Sequence, residues 1–342
     1  MRKFEGFYRG INLGGWLSQG SLEKEHLDTF ITEEDIKTIK EMGVDHIRIP
    51  VDFELIEDEQ GNILEDGHTY IRKGIDWCLQ NGLNVVLDLH KTAGYVFDDA
   101  SYSDGFFDNE VLQERFINLW KVLASRYGNQ PDRVALEILN EVVDPSVAVK
   151  WNAIARRTIE AIREITPNSW IIVGGTRNNS VVSVKELDAP LDERIVHTFH
   201  CYEPLIFTHQ GAYWIENMPE DYKTDYPKTI GEYITETEGL IDPTQAYPLK
   251  HIAPETIGKE FFRKFFMDAI EAAEKNDVPL YCGEYGMIDR ANPEDAIRWF
   301  EDIHEVFDEY QIARAVWTYK EKDFGITGEH YSPIFEKLIK CL

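Results

Sequence analysis

Short apolar runs alternate with longer amphipathic stretches from one end of the chain to the other. Residues 8–13 (YRGINL), 44–49 (VDHIRI), 83–89 (LNVVLDL), 134–139 (VALEIL), 170–174 (WIIVG), 194–200 (RIVHTFH), 278–283 (VPLYCG) and 312–317 (IARAVW) are strand-like in length and β-branched content. Between most of them the apolar period lengthens to that of a helix, over 33–42 (after Thr32), 70–80, 111–127, 147–165, 260–275 and 293–309. Gly43, Gly82 and Gly128 stand where helices would stop. Eight strands with intervening helices predict an α/β chain closed into a (β/α)8, or TIM, barrel, somewhat longer than the ~250 residues typical of that architecture. A doubly wound open sheet is the alternative, but no GxGxxG or phosphate-binding loop follows any strand.

Two segments depart from the alternation. After the fifth strand the chain carries Asn178, Asn179 and Ser180, so the helix there is expected to be weak or truncated. After the sixth strand, residues 211–255 form a connection far longer than the ~2–6 residues usual for such a loop, and it is dense in Tyr, Trp and Pro. No linker, repeat or low-complexity stretch interrupts the rest. The expectation is therefore one catalytic domain over residues 1–342, with an inserted subdomain at about 211–255.

Apolar residues make up 43% of the chain and charged residues 28%, and no run of eighteen apolar residues offers a membrane span. The N-terminal MRKFEGFYRGINLGGW lacks the continuous apolar stretch of a signal peptide, so a cytoplasmic location is expected unless an upstream leader has been removed. A formal charge of -27 repels nucleic-acid phosphates and anionic lipid. Cys78, Cys201, Cys282 and Cys341 are scattered singly and read as free thiols. His197 and His200 suggest a metal pair, but residues three apart on a strand face opposite ways, so no metal site is expected.

The run ALEILNE (135–141) puts two carboxylates at the end of an otherwise apolar strand. In a barrel, chemistry sits at the C-terminal strand ends. Four residues at ~3.3 Å each separate Glu137 from Glu141 by about 13 Å, which leaves Glu137 low in the barrel as a buried, paired carboxylate, with His46 as the expected partner. Glu141 lies at the mouth. The seventh strand ends YCGEYG and places Glu284 at the same level. Two facing carboxylates are what glycoside hydrolysis needs, one to protonate the leaving oxygen and one to attack or to activate water. Arg48, His90, His200, Tyr202 and Trp317 all fall at predicted strand ends. Singly, each reads as a structural residue; their joint occurrence points to a site.

Taken together, GINLGGW (10–16), HIRIP (46–50), DLH (88–90), EILNE (137–141), HCYEP (200–204), FTHQ (207–210), YCGEYG (281–286) and AVWTYK (315–320) resemble the family 5 glycoside hydrolases of the cellulase superfamily, most of all the compact clostridial endoglucanase C type. The resemblance implies retaining hydrolysis of internal β-1,4 or mixed β-1,3/1,4 bonds of a glucan, with Glu141 as acid/base and Glu284 as nucleophile. It implies that Arg48 and Tyr202 orient the nucleophile, and that Asn140 binds the sugar 2-hydroxyl. His90 and His200 would bind sugar or orient the carboxylates, and Trp317 would carry a sugar ring. No organic cofactor or metal is implied; the partner is a β-glucan polysaccharide or oligosaccharide, and a monomer is expected. A β-mannanase, an exo-β-1,3-glucanase and an inactive sugar-binding barrel are the alternatives, with a metal-dependent barrel hydrolase as a further one. After His90 the chain reads Lys91-Thr92-Ala93-Gly94, where relatives commonly have a second His or an Ala-Pro-Gly turn, so the sugar contacts of that loop differ. Tyr213, Trp214, Tyr222, Tyr226 and Tyr233 of the insertion are candidate sugar platforms or, equally, its local core.

Overall fold

The computed structural model describes residues 1–98, 105–243 and 246–342; Thr244 and Gln245 of the expected insertion lie outside the described residues. Eight strands, β1 (Arg9–Asn12), β2 (His46–Val51), β3 (Asn84–Leu89), β4 (Val134–Glu137), β5 (Ile171–Gly174), β6 (Ile195–Cys201), β7 (Leu280–Tyr285) and β8 (Ala313–Val316), pair in sequence order. All the pairs are parallel, and β8 closes on β1, so the predicted barrel is the observed one. Each expected strand falls within a few residues of its predicted place.

The helices that cover the barrel include Glu33–Glu41, Glu65–Gln80, Glu110–Tyr127, Ala148–Arg163, Lys259–Asn276 and Pro293–Tyr310. Thr32 opens the first with a reciprocal capping box to Asp35. The second begins at Glu65, five residues before the predicted start at Tyr70, because Asp66-Gly67 reads as a turn. Gly67 sits inside this helix because the chain passes too close for a side chain: a Cβ there would meet the Leu55 carbonyl oxygen at 1.8 Å, so the position needs glycine for space and not for a turn. After β5 the covering helix is replaced by a four-residue turn, Thr176–Asn179, and a 3₁₀ segment, Val181–Glu186, which matches the truncation expected there.

Two separate apolar clusters distinguish the barrel lumen from the shell between strands and helices. The lumen floor is Phe4, Phe7, Val86, Ala135, Trp170, Ile172, Val196, Tyr281, Ala313 and Ala315. Above it the lumen turns polar, with Asn12, Arg48, Asp88 and Glu137 all fully buried. The shell ties down the strand ends. Trp120, Trp151 and Trp299 donate their indole N–H to the carbonyls of Ile138, Gly174 and Glu203 at 2.8, 2.8 and 3.1 Å. Those carbonyls lie where strand pairing ends, so each bond supplies a partner that the sheet no longer gives.

Strand β7 carries the irregularity on which the site depends. Phe199 pairs with Cys282 but His200 pairs with Glu284, so Gly283 is an extra residue on β7, and the register against β8 shifts in the same stretch. Tyr281 faces the lumen and Cys282 the shell. Strict alternation would turn Glu284 outward with Cys282; the bulge turns it inward instead. A Cβ at Gly283 would sit 3.1 Å from Thr198 Oγ1 and 3.2 Å from His200 Nε2, so the residue that absorbs the bulge has little room for a side chain.

Between β6 and Lys259 the chain forms two short helices, Leu205–Thr208 and Ile230–Thr237, and a 3₁₀ turn, Tyr247–His251. Tyr226 and Tyr233 are buried here: Tyr226 stacks on Phe207, and the Tyr233 hydroxyl donates to the Asp225 carbonyl at 2.9 Å. These two are local core and not sugar platforms. Tyr222 is partly covered, with its hydroxyl on Glu236. Tyr213 and Trp214 are exposed, at 66% and 45%. No helix among the described residues is long and apolar enough to cross a membrane.

Candidate active site

A cleft of about 580 Å³ opens at the C-terminal ends of the strands, and Glu141, Glu284, His90, His200, Tyr202 and Trp317 line it. Arg48 and Asn140 lie directly beneath, both buried. All eight residues singled out from the sequence therefore meet in one place.

Arg48 organises the floor. Its Nε and Nη2 donate to the two oxygens of Glu137 at 2.7 and 3.0 Å. Nη1 donates to Glu284 Oε1 at 2.7 Å and to Asn12 Oδ1 at 3.0 Å, while Nη2 also donates to Asn140 Oδ1 at 2.9 Å and lies 3.0 Å from Asp88. Glu137 is thus paired and buried as expected, but with Arg48 in place of His46. His46 instead contacts Asp45 and the Tyr281 hydroxyl, because its ring lies in the layer below. Glu137 is also no remote structural group: through one guanidinium it is joined to Glu284.

The two mouth carboxylates have different surroundings. Glu284 accepts a hydrogen bond from Arg48 on one oxygen and from the Tyr202 hydroxyl, at 2.9 Å, on the other. Glu141 has neutral donors: His200 Nδ1 lies 2.8 Å from Oε1, and Asn178 Nδ2 donates to Oε2 at 3.0 Å. His200 Nδ1 is also 3.6 Å from Glu284, so a proton on that nitrogen serves both carboxylates. One oxygen of each carboxylate and this nitrogen all lie within 4.8 Å of one another.

Burial dominates the titration of the cleft. It pushes the Glu141 carboxyl up to about 7, against the smaller opposing effects of the Asn178 hydrogen bond and the Arg48 charge. It lowers His90 and His200 to about 4, so both rings are neutral near pH 7. His90 Nδ1 lies 2.6 Å from Asp88, which burial raises to about 7, and the ring lies parallel to Trp317 with centroids 5.8 Å apart. His90 is thus stacked on the Trp317 indole and steadies it, and a flat aromatic face of this kind suits the apolar face of a pyranose.

Among the described residues, Glu141, His200 and Glu284 are the group that could hold a metal ion. A cation there would displace the Nδ1 proton and occupy the same carboxylate oxygens. His197 lies on the opposite face of β6 from His200, beside Ala155 and Leu187, so the two histidines do not converge. All four cysteines are free thiols.

Several cleft residues were not singled out as site residues from the sequence. Asn178 was read only as a helix breaker, and its side chain proves to hold Glu141. Glu203 lines the cleft, and burial raises its carboxyl to about 7. His209, within the quoted FTHQ, packs edge-on against Tyr202 at 5.2 Å, and Phe324 packs against both rings. Strand-end position alone marks none of them, since each sits in a loop. Of the five candidate aromatics between residues 211 and 255, Tyr213 and Trp214 reach the cleft.

The sequence model of the cellulase family (glycosyl hydrolase family 5) matches residues 16–323. Endoglucanase C of Acetivibrio thermocellus is 42% identical over 344 aligned positions, covering 98% of this chain and 98% of that protein. Cellodextrinase A of Ruminococcus flavefaciens is 41% identical over 314, covering 92% of this chain and 86% of the relative. Among solved structures, Thermotoga maritima Cel5A in complex with mannotriose superposes with a TM-score of 0.77 at 25% identity, covering 100% of each chain.

The floor geometry makes a stability prediction. Glu137→Ala removes the bidentate partner of a fully buried guanidinium, and such a loss costs about 3–5 kcal/mol. Glu137→Gln keeps an acceptor and should cost less. Chemical denaturation of the two variants beside the parent measures this; equal stability of Glu137→Ala and the parent would show that Asp88 and Glu284 alone hold Arg48.

Proposed function

The chain belongs to the cellulase family, glycosyl hydrolase family 5, and we propose that it is a retaining endo-β-glucanase that cleaves internal β-1,4 or mixed β-1,3/1,4 glucosidic bonds by double displacement. The observation that carries the reading is the facing pair Glu141 and Glu284, with carboxylate oxygens within 4.8 Å of each other. That closeness favours retention, for which carboxyl separations are about 5–5.5 Å, over inversion at ~6.5–9.5 Å. The two relatives at 41–42% identity, a cellodextrinase and an endoglucanase, support the glucan substrate.

In this reading Glu284 is the nucleophile. Arg48 and Tyr202 each donate to one of its oxygens, which fixes its aim. Glu141, whose carboxyl burial raises to about 7, gives its proton to the leaving oxygen as Glu284 bonds to the anomeric carbon. Water then enters, Glu141 takes its proton, and the glycosyl–Glu284 bond breaks with a second inversion. Asn140 accepts from Arg48 and has a buried amide nitrogen without a partner among the described residues, which suits a hydrogen bond to a sugar hydroxyl beside the reacting carbon. We read residues 1–342 as one catalytic domain in which the 211–255 insertion shapes substrate choice. A mannan substrate is the second reading, favoured by the mannotriose in the Thermotoga maritima neighbour. Side-by-side digestion of barley glucan, cellohexaose, laminarin and mannan separates the two.

The division of labour is tested by removing each carboxylate. Glu141→Ala should lose natural glucans by a factor of ~10²–10⁴ while sparing the first step on an aryl glycoside whose leaving group needs no proton. Glu284→Ala should lose both. Near-normal turnover by Glu284→Ala on either substrate would overturn the assignment.

Proton NMR during hydrolysis of a cello-oligosaccharide should show the β-anomer first. An initial α-anomer would refute double displacement.

Trp214 stands at the cleft rim, edge-on to Tyr213 and to His209. Ring packing there would bind sugars remote from the cleaved bond equally in ground and transition states, so its loss enters KM. Trp214→Ala should weaken long oligosaccharides more than a minimal aryl glycoside. Equal losses would mean that Trp214 only packs the insertion.

A further inference from the structure

We infer that Asn178 is a positioning residue for proton transfer, one that a left-handed turn at the end of β5 presents so that its side-chain amide holds the second oxygen of Glu141 and tunes when that carboxyl releases its proton. The inference rests on the reading of Glu141 as the acid/base.

The backbone supplies the first argument. Arg177, Asn178 and Asn179 have φ of 56°, 56° and 53°, three consecutive non-glycine residues in the left-handed region. Such a run persists only where the surroundings over-determine it, and Asn is among the residues that tolerate it best. Here the surroundings are the loop that carries Glu141. Arg177 N–H donates to the Val143 carbonyl at 3.2 Å and Asn178 N–H to the Val142 carbonyl at 3.0 Å. The turn is thereby bound to the two residues that follow Glu141, and the Asn178 amide arrives 3.0 Å from Oε2.

The neighbours of Glu141 supply the second. His200 Nδ1 serves Oε1, and the Tyr95 hydroxyl fixes the Glu141 backbone carbonyl. Arg48 acts from below, Asp98 and Tyr202 from the cleft walls, and Glu284 faces it. Among the described residues Asn178 is thus the side chain that holds Oε2, and a neutral amide that donates to a carboxylate favours the ionised form. This opposes burial. It makes Glu141 a stronger acid, and it stabilises the carboxylate left once the proton has gone to the leaving oxygen.

The test uses two substitutions in the full chain. Asn178→Gly keeps the left-handed backbone without strain and deletes the amide; Asn178→Asp keeps the shape and replaces the donor by a second carboxylate. The readouts are the pH profile of kcat/KM on a soluble glucan and the rate on an aryl glycoside with a good leaving group. For the parent, the basic limb should fall near the raised value of about 7 for Glu141. In Asn178→Gly it should move up by about one pH unit, with a loss of about tenfold in kcat on glucan, little change in KM, and a smaller loss on the aryl glycoside. Asn178→Asp should move the limb further in the same direction. An unmoved limb in both variants, or equal losses on both substrates, would overturn the inference and leave Asn178 a turn residue. If Glu141→Ala failed to spare the aryl glycoside, the underlying reading would fall and this inference with it.

Discussion

One buried cation, the guanidinium of Arg48, fixes the upper half of the barrel lumen. Glu137, Asp88 and Glu284 surround it, contributed by β4, β3 and β7, and Asn12 of β1 and Asn140 complete its contacts. A charge removed from water must be paired with good geometry, and only the planar fork of Arg can meet so many acceptors at once. Three carboxylates around one cation carry more negative charge than it neutralises. Burial then raises the proton affinity of Asp88 and Glu137, the two with no exposure, and leaves Glu284 at the rim as the partner that reaches the cleft. The polar floor is therefore both a structural clasp across the strands and the means by which one carboxylate is aimed outward.

The clasp works because β7 breaks its own alternation. Without the extra residue Gly283, Glu284 would share the face of Cys282 and point into the shell, out of reach of Arg48 and Tyr202. The bulge also sets Glu284 beside His200, which makes the imidazole bridge to Glu141 possible. A small backbone irregularity thus joins the floor, the bridge and the second carboxylate. Bulges placed beside reactive groups serve this purpose generally, re-aiming a side chain that the pleat would turn away.

Periodicity exposed the barrel because each strand is a short apolar run and most covering helices are long and amphipathic. Position at strand ends then brought Arg48, His90, Glu141, His200, Tyr202, Glu284 and Trp317 to one mouth. Pairings across the lumen were less legible. His46 and Arg48 have the same parity on β2, and nothing local says which of them meets Glu137; the register between β2, β3 and β4 decides it. Loop contributions were less legible still. Asn178 and Asn179 do break the helix, but the conformation they adopt instead, and the carboxylate it meets, follow from bonds to the Glu141 loop that no sequence window contains. Between residues 211 and 255, composition marked five aromatics alike, and only folding separates the buried Tyr226 and Tyr233 from the exposed Tyr213 and Trp214.

On the proposed mechanism, two glutamates in one cleft must behave oppositely, one ionised to attack and the other protonated to donate. The difference lies in what donates to them. Glu284 receives a cation's hydrogen bond and a phenol's; Glu141 receives those of a neutral imidazole and a neutral amide, so burial prevails there. Neutrality of His200 is essential to this arrangement: a charged imidazolium 2.8 Å from Glu141 would favour its ionised form and remove the acid. The same burial that raises the carboxyl to about 7 lowers the imidazole to about 4, so one physical cause, desolvation, pushes both partners toward their uncharged forms. When the first bond breaks, Glu141 becomes negative and Glu284 becomes an ester, and the negative charge moves from one side of His200 to the other. A donor that already lies 2.8 Å from one carboxylate and 3.6 Å from the other can follow that shift with little motion.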